Sequence, residues 1–480
     1  MTTSPAAAPE IRTEQDSLGT YQVPASAYYG VQTARALDNF PISGIALSAY
    51  PHFVDALAAV KQAAAEANHD LGLLDRRRAD AITAACREIR SGALHKHFVV
   101  DVVQGGAGTS TNMNANEVIA NRASELLGAE RGDYDCVHPL EHVNRSQSTN
   151  DVYPTAIKVA LQVQIRGLHA TLLRVSDAFA AKACEFETVL KMGRTQLQDA
   201  VPMTLGQEFS TYAVMVAEDA ERLLEAACLV TEINLGGTAI GTGLNAHPRY
   251  AGLACQKLSA ITGYPLTTAG NLVEATQDVG AFVQLSGVLK RTALKLSKIC
   301  NDLRLLSSGP RSGFNEINLP AVQAGSSIMP GKVNPVIPEV VNQVAFEVAG
   351  NDVTISMAAE AGQLQLNAFE PIIAHCLFQS VAHLDAACGT LIERCIVGIT
   401  ANRERLMDSV TNSIGVITAL SPYIGYSAST RIAKTALGTG RPIPELVIEE
   451  GLLSAEQLDQ LLSPEALVGP RELLSMEDVS

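Results

Sequence analysis

The chain contains no tryptophan, and aromatic residues make up 5% of its 480 positions. A core without large rings must be filled by Ala, Leu, Val and Ile, which favours close-packed helices. Charge is also scarce, at 18% against 47% hydrophobic, and that balance excludes a disordered chain. Positive charge is the scarcer sign: 35 Lys and Arg against 50 Asp and Glu give −15. This argues against nucleic acid as a partner. A small dianion remains admissible, because a local cluster of donors outweighs a distant net charge. No uncharged apolar run reaches 18 residues and no secretory leader is read, so a cytoplasmic chain that neither spans nor binds membrane is expected. The nine cysteines, at 86, 136, 184, 228, 255, 300, 376, 388 and 395, form no CxxC pair. Their odd count and scatter read as reduced, buried thiols. No HExxH or Cys/His cluster offers metal-ligand spacing, and no G-x-x-x-x-G-K-[ST] phosphate loop or G-x-S-x-G elbow is present. Gly105-Gly-Ala-Gly precedes no βαβ pattern, so it is not read as dinucleotide-binding.

What is present is helical periodicity. Length alone suggests two to four domains. Residues 1–15, rich in Ala, Pro and Thr, are expected to be a disordered tail. Residues 16–44 read as an extended arm followed by a turn. Helices are predicted within 52–98, and then over about 151–188, 204–230, 272–307, 335–360 and 366–398. The longest carries Ile157, Leu161, Ile165, Leu168, Leu172, Val175 and Phe179, spaced by fours and threes. Such a seam marks long helices packed at a shallow angle, in a bundle or an oligomer core, with some of its contacts expected across subunits. Beyond 400 the segments shorten and Gly and Pro multiply, with Ser454 and Gln457 capping a short helix. The expected division is 1–143, 144–402 and 403–480, all mainly α.

Four polar clusters stand at expected helix entries. The richest is Gly325-Ser-Ser-Ile-Met-Pro-Gly-Lys-Val-Asn-Pro, where two hydroxyls, an ammonium and an amide precede a helix. Asn334 is its candidate N-cap, and Gly325 and Gly331 its flexible points. The others are Gly108-Thr-Ser-Thr-Asn, Ser146-Gln-Ser-Thr-Asn-Asp and Gly193-Arg-Thr-Gln-Leu-Gln-Asp. Asn114 with Glu117 reads as a capping box that places Thr109, Thr111 and Asn112 just ahead of a helix. Thr204 with Gln207 reads as another. A single Ser/Thr/Asn run before a helix is normally a cap. Four of them, dense in neutral donors, point instead to recognition of carboxylates at helix N-termini, with Lys332 as the fixed charge. Of the ten histidines only His142, just before the Ser146 cluster, is held open for chemistry.

In this order the four motifs resemble the active-site segments of the aspartase/fumarase superfamily, from Asp16 to about Leu462. The resemblance implies three mainly helical domains, a central long-helix bundle forming the core of a homotetramer, and sites built from three subunits. Val336-Ile-Pro-Glu-Val-Val-Asn-Gln is similar to the aspartase branch, whereas class II fumarases have Thr-Gln-Cys-Glu there. Gln196 stands where fumarases and some aspartases have His, which removes an imidazole relay. The implied reaction is elimination of ammonia from L-aspartate to give fumarate, without a cofactor or metal. The alternatives are a fumarase-type lyase on another succinyl-type substrate, or a catalytically silent structural protein. By resemblance Ser326 is the catalytic base, and Ser327, Thr109, Ser148 and Thr149 hold the β-carboxylate. Lys332 and Asn334 hold the α-carboxylate, and Thr195 and Asn150 line the amino side. Gln196 lies beside them, with Thr111, Asn112 and Glu339 in support.

These residue types suit that chemistry. A proton beside a carboxylate is weakly acidic, and its removal loads a second charge onto that group as an aci-carboxylate. Preorganised neutral donors aimed at those oxygens are each worth about 3–4 kcal/mol. A fixed charge would also grip the ground state, lowering KM more than raising kcat.

Overall fold

The computed structural model describes residues 10–469. It is mainly helical, and the described residues fall into two compact units, one comprising 10–169, 221–293 and 346–384, the other 170–220, 294–345 and 385–469.

The first unit opens with an antiparallel hairpin, β1 (Ile11–Asp16) and β2 (Gly19–Pro24), then α1 (Val31–Asn39). This corrects the expected tail: residues 1–9 lie outside the described residues, but 11–16 are a strand. Arg12 explains why. Its guanidinium donates to the carbonyls of Pro24, Ala25, Ala27 and Tyr29 and pairs with Glu14. Helix α1, expected as part of an extended arm and turn, lacks a side-chain cap of its own. Instead Glu117, distant in sequence, accepts from the N–H groups of Gly30, Gln32 and Thr33. That long-range cap is invisible to local patterns. Next come α2 (Pro51–Asp70), α3 (Arg76–Arg90) and α4 (Thr109–Leu126). Pro51 opens α2 at N1, and Asp75 caps α3 by accepting from Arg78 N–H at 3.0 Å.

Helix α5 (Thr149–Glu185) contributes residues to both units, and so do α6 (Leu205–Leu229), α9 (Gly280–Leu306), α10 (Val336–Glu360) and α11 (Glu370–Arg394). The shorter α7 (Tyr250–Thr262) and α8 (Leu272–Gln277) lie in the first unit. The seam from Ile157 to Phe179 is fully buried. Each such side chain contributes about 1.5–3 kcal/mol by leaving water. Because the burial is complete within one chain, the seam offers no area to a second copy, and its expected contacts across subunits are corrected. The exposed apolar stripe lies elsewhere, on α10, where Phe346, Val353 and Met357 are 65%, 58% and 68% accessible.

The second unit holds the antiparallel hairpin β3 (Leu190–Thr195) and β4 (Gln198–Thr204), which the sequence reading lacked. Edge-to-face rings of Phe179, Phe186, Phe209 and Tyr212 form part of its core. Six short helices follow: α12 (Arg403–Thr411), α13 (Ile417–Ile424), α14 (Tyr426–Thr439), α15 (Ile443–Glu449), α16 (Ala455–Leu461) and α17 (Pro464–Leu467). Leu420, Ile432, Val447 and Leu461 anchor an apolar cluster among them. Both capping boxes outside the first unit form as read, Thr204 with Gln207 and Ser454 with Gln457. The cysteines are free, but Cys184 and Cys228 are exposed and Cys136 half-buried, which corrects the reading of all nine as buried.

Candidate active site

The candidate residues fall into groups, each set by its own local element. In the first unit, α4 starts at Thr109, with Gly108 as N-cap. Gly108 has φ +87°, and a Cβ there would lie 2.3 Å from the Tyr153 ring, so the sharp entry requires glycine. Thr109, Thr111 and Asn112 are thus inside the first turn, not ahead of it. The Asn114–Glu117 capping box does not exist. Asn114 bonds to Val99 N–H and the His97 carbonyl, while Glu117 caps α1. Ser148 precedes the first turn of α5, and Thr149 opens it.

Thr109, Asn112, Ser148 and Thr149 come together on one cleft of about 420 Å³, with Asn144, Gln147 and Thr238. Two of its candidates turn away. The Asn150 amide donates to Ala239 carbonyl at 2.8 Å, and Thr111 is buried with its hydroxyl on Gln104 Oε1. The cleft wall is braced from behind. Asn112 Nδ2 donates to Thr149 Oγ1 at 3.1 Å and to Asn144 Oδ1 at 3.2 Å. Buried Asp151 accepts from the N–H groups of Ser148, Gly236 and Thr238 at 3.0, 3.0 and 2.9 Å, joining the 148 turn to the 236–238 turn. Burial pushes its carboxyl up to about 6, against the pull of those N–H groups and Lys61. The ammonium of Lys61 is pushed down to about 7 by burial. Thr238 Oγ1 is buried without a hydrogen-bond partner. Sequence reading missed Lys61, Asn144, Gln147 and Thr238. The one available signal was a lysine interrupting the apolar run Ala56–Ala65 of α2. His142, held open, has a local role: its Nδ1 accepts from His138 N–H at 2.8 Å.

In the second unit, Thr195 ends β3 and pairs with Gln198 across a two-residue turn, Gln196-Leu197. Both turn residues have positive φ, 53° and 62°. This is the geometry in which Asn-Gly is favoured, so neither residue is there for backbone comfort. Gly193 permits a bulge below the tip, since a Cβ would meet the Val201 carbonyl at 2.8 Å.

The loop 325–334 is a ring closed at its base. Gly325 N–H donates to Lys332 carbonyl at 2.8 Å, and Asn334 Nδ2 donates to Gly325 carbonyl at 2.6 Å. Asn334 therefore does not cap α10; its amide fastens the ring. Gly325 is needed for that close approach, because a Cβ would sit 2.4 Å from Lys332 O, whereas Gly331 supplies the positive φ. At the head of the ring, Ser326 Oγ accepts from the N–H groups of Ile328 at 3.1 Å and Met329 at 2.9 Å. Ser327 and Lys332 are exposed, and Glu339 lies in the first turn of α10. Two N–H groups aimed at one hydroxyl oxygen stabilise negative charge on it. Among the described residues no group of three or more His, Cys, Asp or Glu could hold a metal ion.

Comparison with known proteins fixes what kind of protein presents these groups. The lyase family matches residues 19–350, and the fumarase C C-terminal region matches 416–469. The chain belongs to this lyase family. Within the aspartase/fumarase superfamily it is 61% identical, over 465 residues, to the aspartate ammonia-lyase of Pseudomonas fluorescens, covering 97% of each chain. It is 53% identical over 461 residues to the aspartate ammonia-lyase of Escherichia coli (strain K12), covering 96% of each. A solved fumarate lyase:delta crystallin from Brucella melitensis, bound to cobalt, superposes with TM-score 0.94 at 57% identity, covering 96% of this chain and all of that one. The mainly helical lyase fold expected from the motifs is the fold observed.

Proposed function

We propose that this lyase eliminates ammonia from L-aspartate, reversibly, to give fumarate through an aci-carboxylate intermediate. The observation that carries the choice of substrate is the 61% identity, over 97% of both chains, to an aspartate ammonia-lyase. Ser326, with two N–H groups on its oxygen, takes the β-proton. Thr109, Ser148, Thr149 and Ser327 receive the charge that builds on the β-carboxylate. Lys332 and Asn334 hold the α-carboxylate, Thr195, Gln196 and Asn150 face the amino group, and Thr111, Asn112 and Glu339 support them. Asn334 and Asn150 each spend one amide N–H on a backbone carbonyl, which leaves the second N–H for substrate. The chemistry needs no cofactor or metal. The active form is a homotetramer in which three subunits contribute to each site, with the exposed α10 stripe in the shared core. The free thiols suit the cytoplasm. The domain division 1–143, 144–402 and 403–480 is retained, the last having an apolar cluster of its own. The test is an assay of fumarate formation from aspartate, malate and argininosuccinate. Turnover of aspartate alone is expected. Preference for malate would move the enzyme to the fumarases, and inertness toward all three would leave a structural protein.

A further inference from the structure

Lys61, behind the cleft wall, belongs to none of the four motifs. It lies midway along α2, fully buried, and its Nζ donates to Asn144 Oδ1 and Gln147 Oε1, both at 2.9 Å. Both acceptors line the cleft. The same Asn144 oxygen receives Asn112 Nδ2 and, at 3.1 Å, Asn116 Nδ2. Gln147 Nε2 is spent on the Val143 and Arg145 carbonyls. The amides thus turn their oxygens inward to a cation. An ammonium buried so deeply normally has a carboxylate bonded to it, since isolated charge is poorly tolerated in a core. Lys61 has none within ion-pair reach among the described residues. The nearby carboxylate, Asp151, is committed to three backbone N–H groups. Asp151 compensates the charge of Lys61 from a distance, but no carboxylate touches the ammonium, and its two amide acceptors line the cleft.

We propose that Lys61 is a positioning residue for anion binding: it orients Asn144 and Gln147 and supplies, through the cleft wall, positive potential that a substrate carboxylate completes. The inference rests on the dicarboxylate reading above and adds a buried cation behind a wall that otherwise offers neutral donors.

The test uses Lys61→Met and Lys61→Gln in the full chain, with calorimetric binding of succinate, an unreactive dianion, and of succinamate, its monoanionic amide. Gln can still donate to Asn144 and so separates charge from orientation; it also serves if the Met variant does not fold. Loss of this buried charge is expected to raise the Kd of succinate about tenfold or more. In Lys61→Gln the loss should be larger for succinate than for succinamate, with helicity and melting retained. A succinate Kd unchanged in either folded variant overturns the proposal, and so does an equal loss for the two ligands in Lys61→Gln. Wild-type chain that fails to bind succinate also overturns it. Wild-type chain that binds succinate without turning over aspartate sinks the substrate assignment and leaves the role of Lys61 standing on the binding data.

Discussion

Ser326 is placed in an oxygen-stabilising turn, with its hydroxyl accepting from Ile328 and Met329 N–H. If it is the base, Ser326→Ala lowers kcat by about a thousandfold or more while folding is unchanged. A steady-state assay giving near-normal kcat removes it from that role. Lys332 has a different signature if its exposed ammonium makes a charged contact with substrate. Lys332→Met should raise KM for aspartate about 10- to 100-fold, the value of one charge-assisted hydrogen bond. A KM held constant with kcat lost would instead make Lys332 a partner in proton transfer. At this scale the sequence was informative about residue type and less so about posture. Asn334 was read as a helix cap from its place before Pro335, but its amide fastens a ring, a contact that local patterning does not encode.

At the scale of elements, the long helices were legible because apolar residues repeat with helical period over many turns. The hairpin β3–β4 was not. Its strands are short, one carries a bulge at Gly193, and its turn is Gln196-Leu197, which is no turn signal at all. The start of α4 was misjudged for a related reason: Gly108 adopts φ +87° to begin the helix, and nothing in Thr-Ser-Thr-Asn announces that the turn is already helical. The hairpin tip yields a prediction. Two non-glycine residues in the left-handed region cost about 1–2 kcal/mol each. Replacing Gln196-Leu197 by Asn-Gly should raise the unfolding midpoint in a thermal melt while lowering aspartate turnover, because strain is relieved and the presented side chains are lost. A melt that does not rise would show that the backbone there is unstrained. Turnover equal to wild type would remove Gln196 from the site.

At the scale of the whole molecule, the candidate groups are carried by two units: Thr109, Ser148 and Thr149 by the first, Thr195, Ser326 and Lys332 by the second. The three-subunit reading predicts complementation. Subunits carrying Ser326→Ala are mixed with subunits carrying Thr195→Ala, dissociated and reassociated. Some sites in mixed tetramers should then be wild type, and activity should partly return. Proven mixed tetramers without recovery would assign both residues to a site served by one chain. That experiment needs subunits that separate without melting, and the spine of α5 makes this available. The seam side chains Ile157, Leu161, Ile165, Leu168, Leu172, Val175 and Phe179 have no accessible surface in a single chain, so this part of the apolar core is complete before any neighbour arrives. Dilution should therefore silence turnover while far-ultraviolet ellipticity stays constant, and the two curves should separate on the concentration axis. If the three-subunit reading holds, what dilution removes first is a meeting of parts that are already folded.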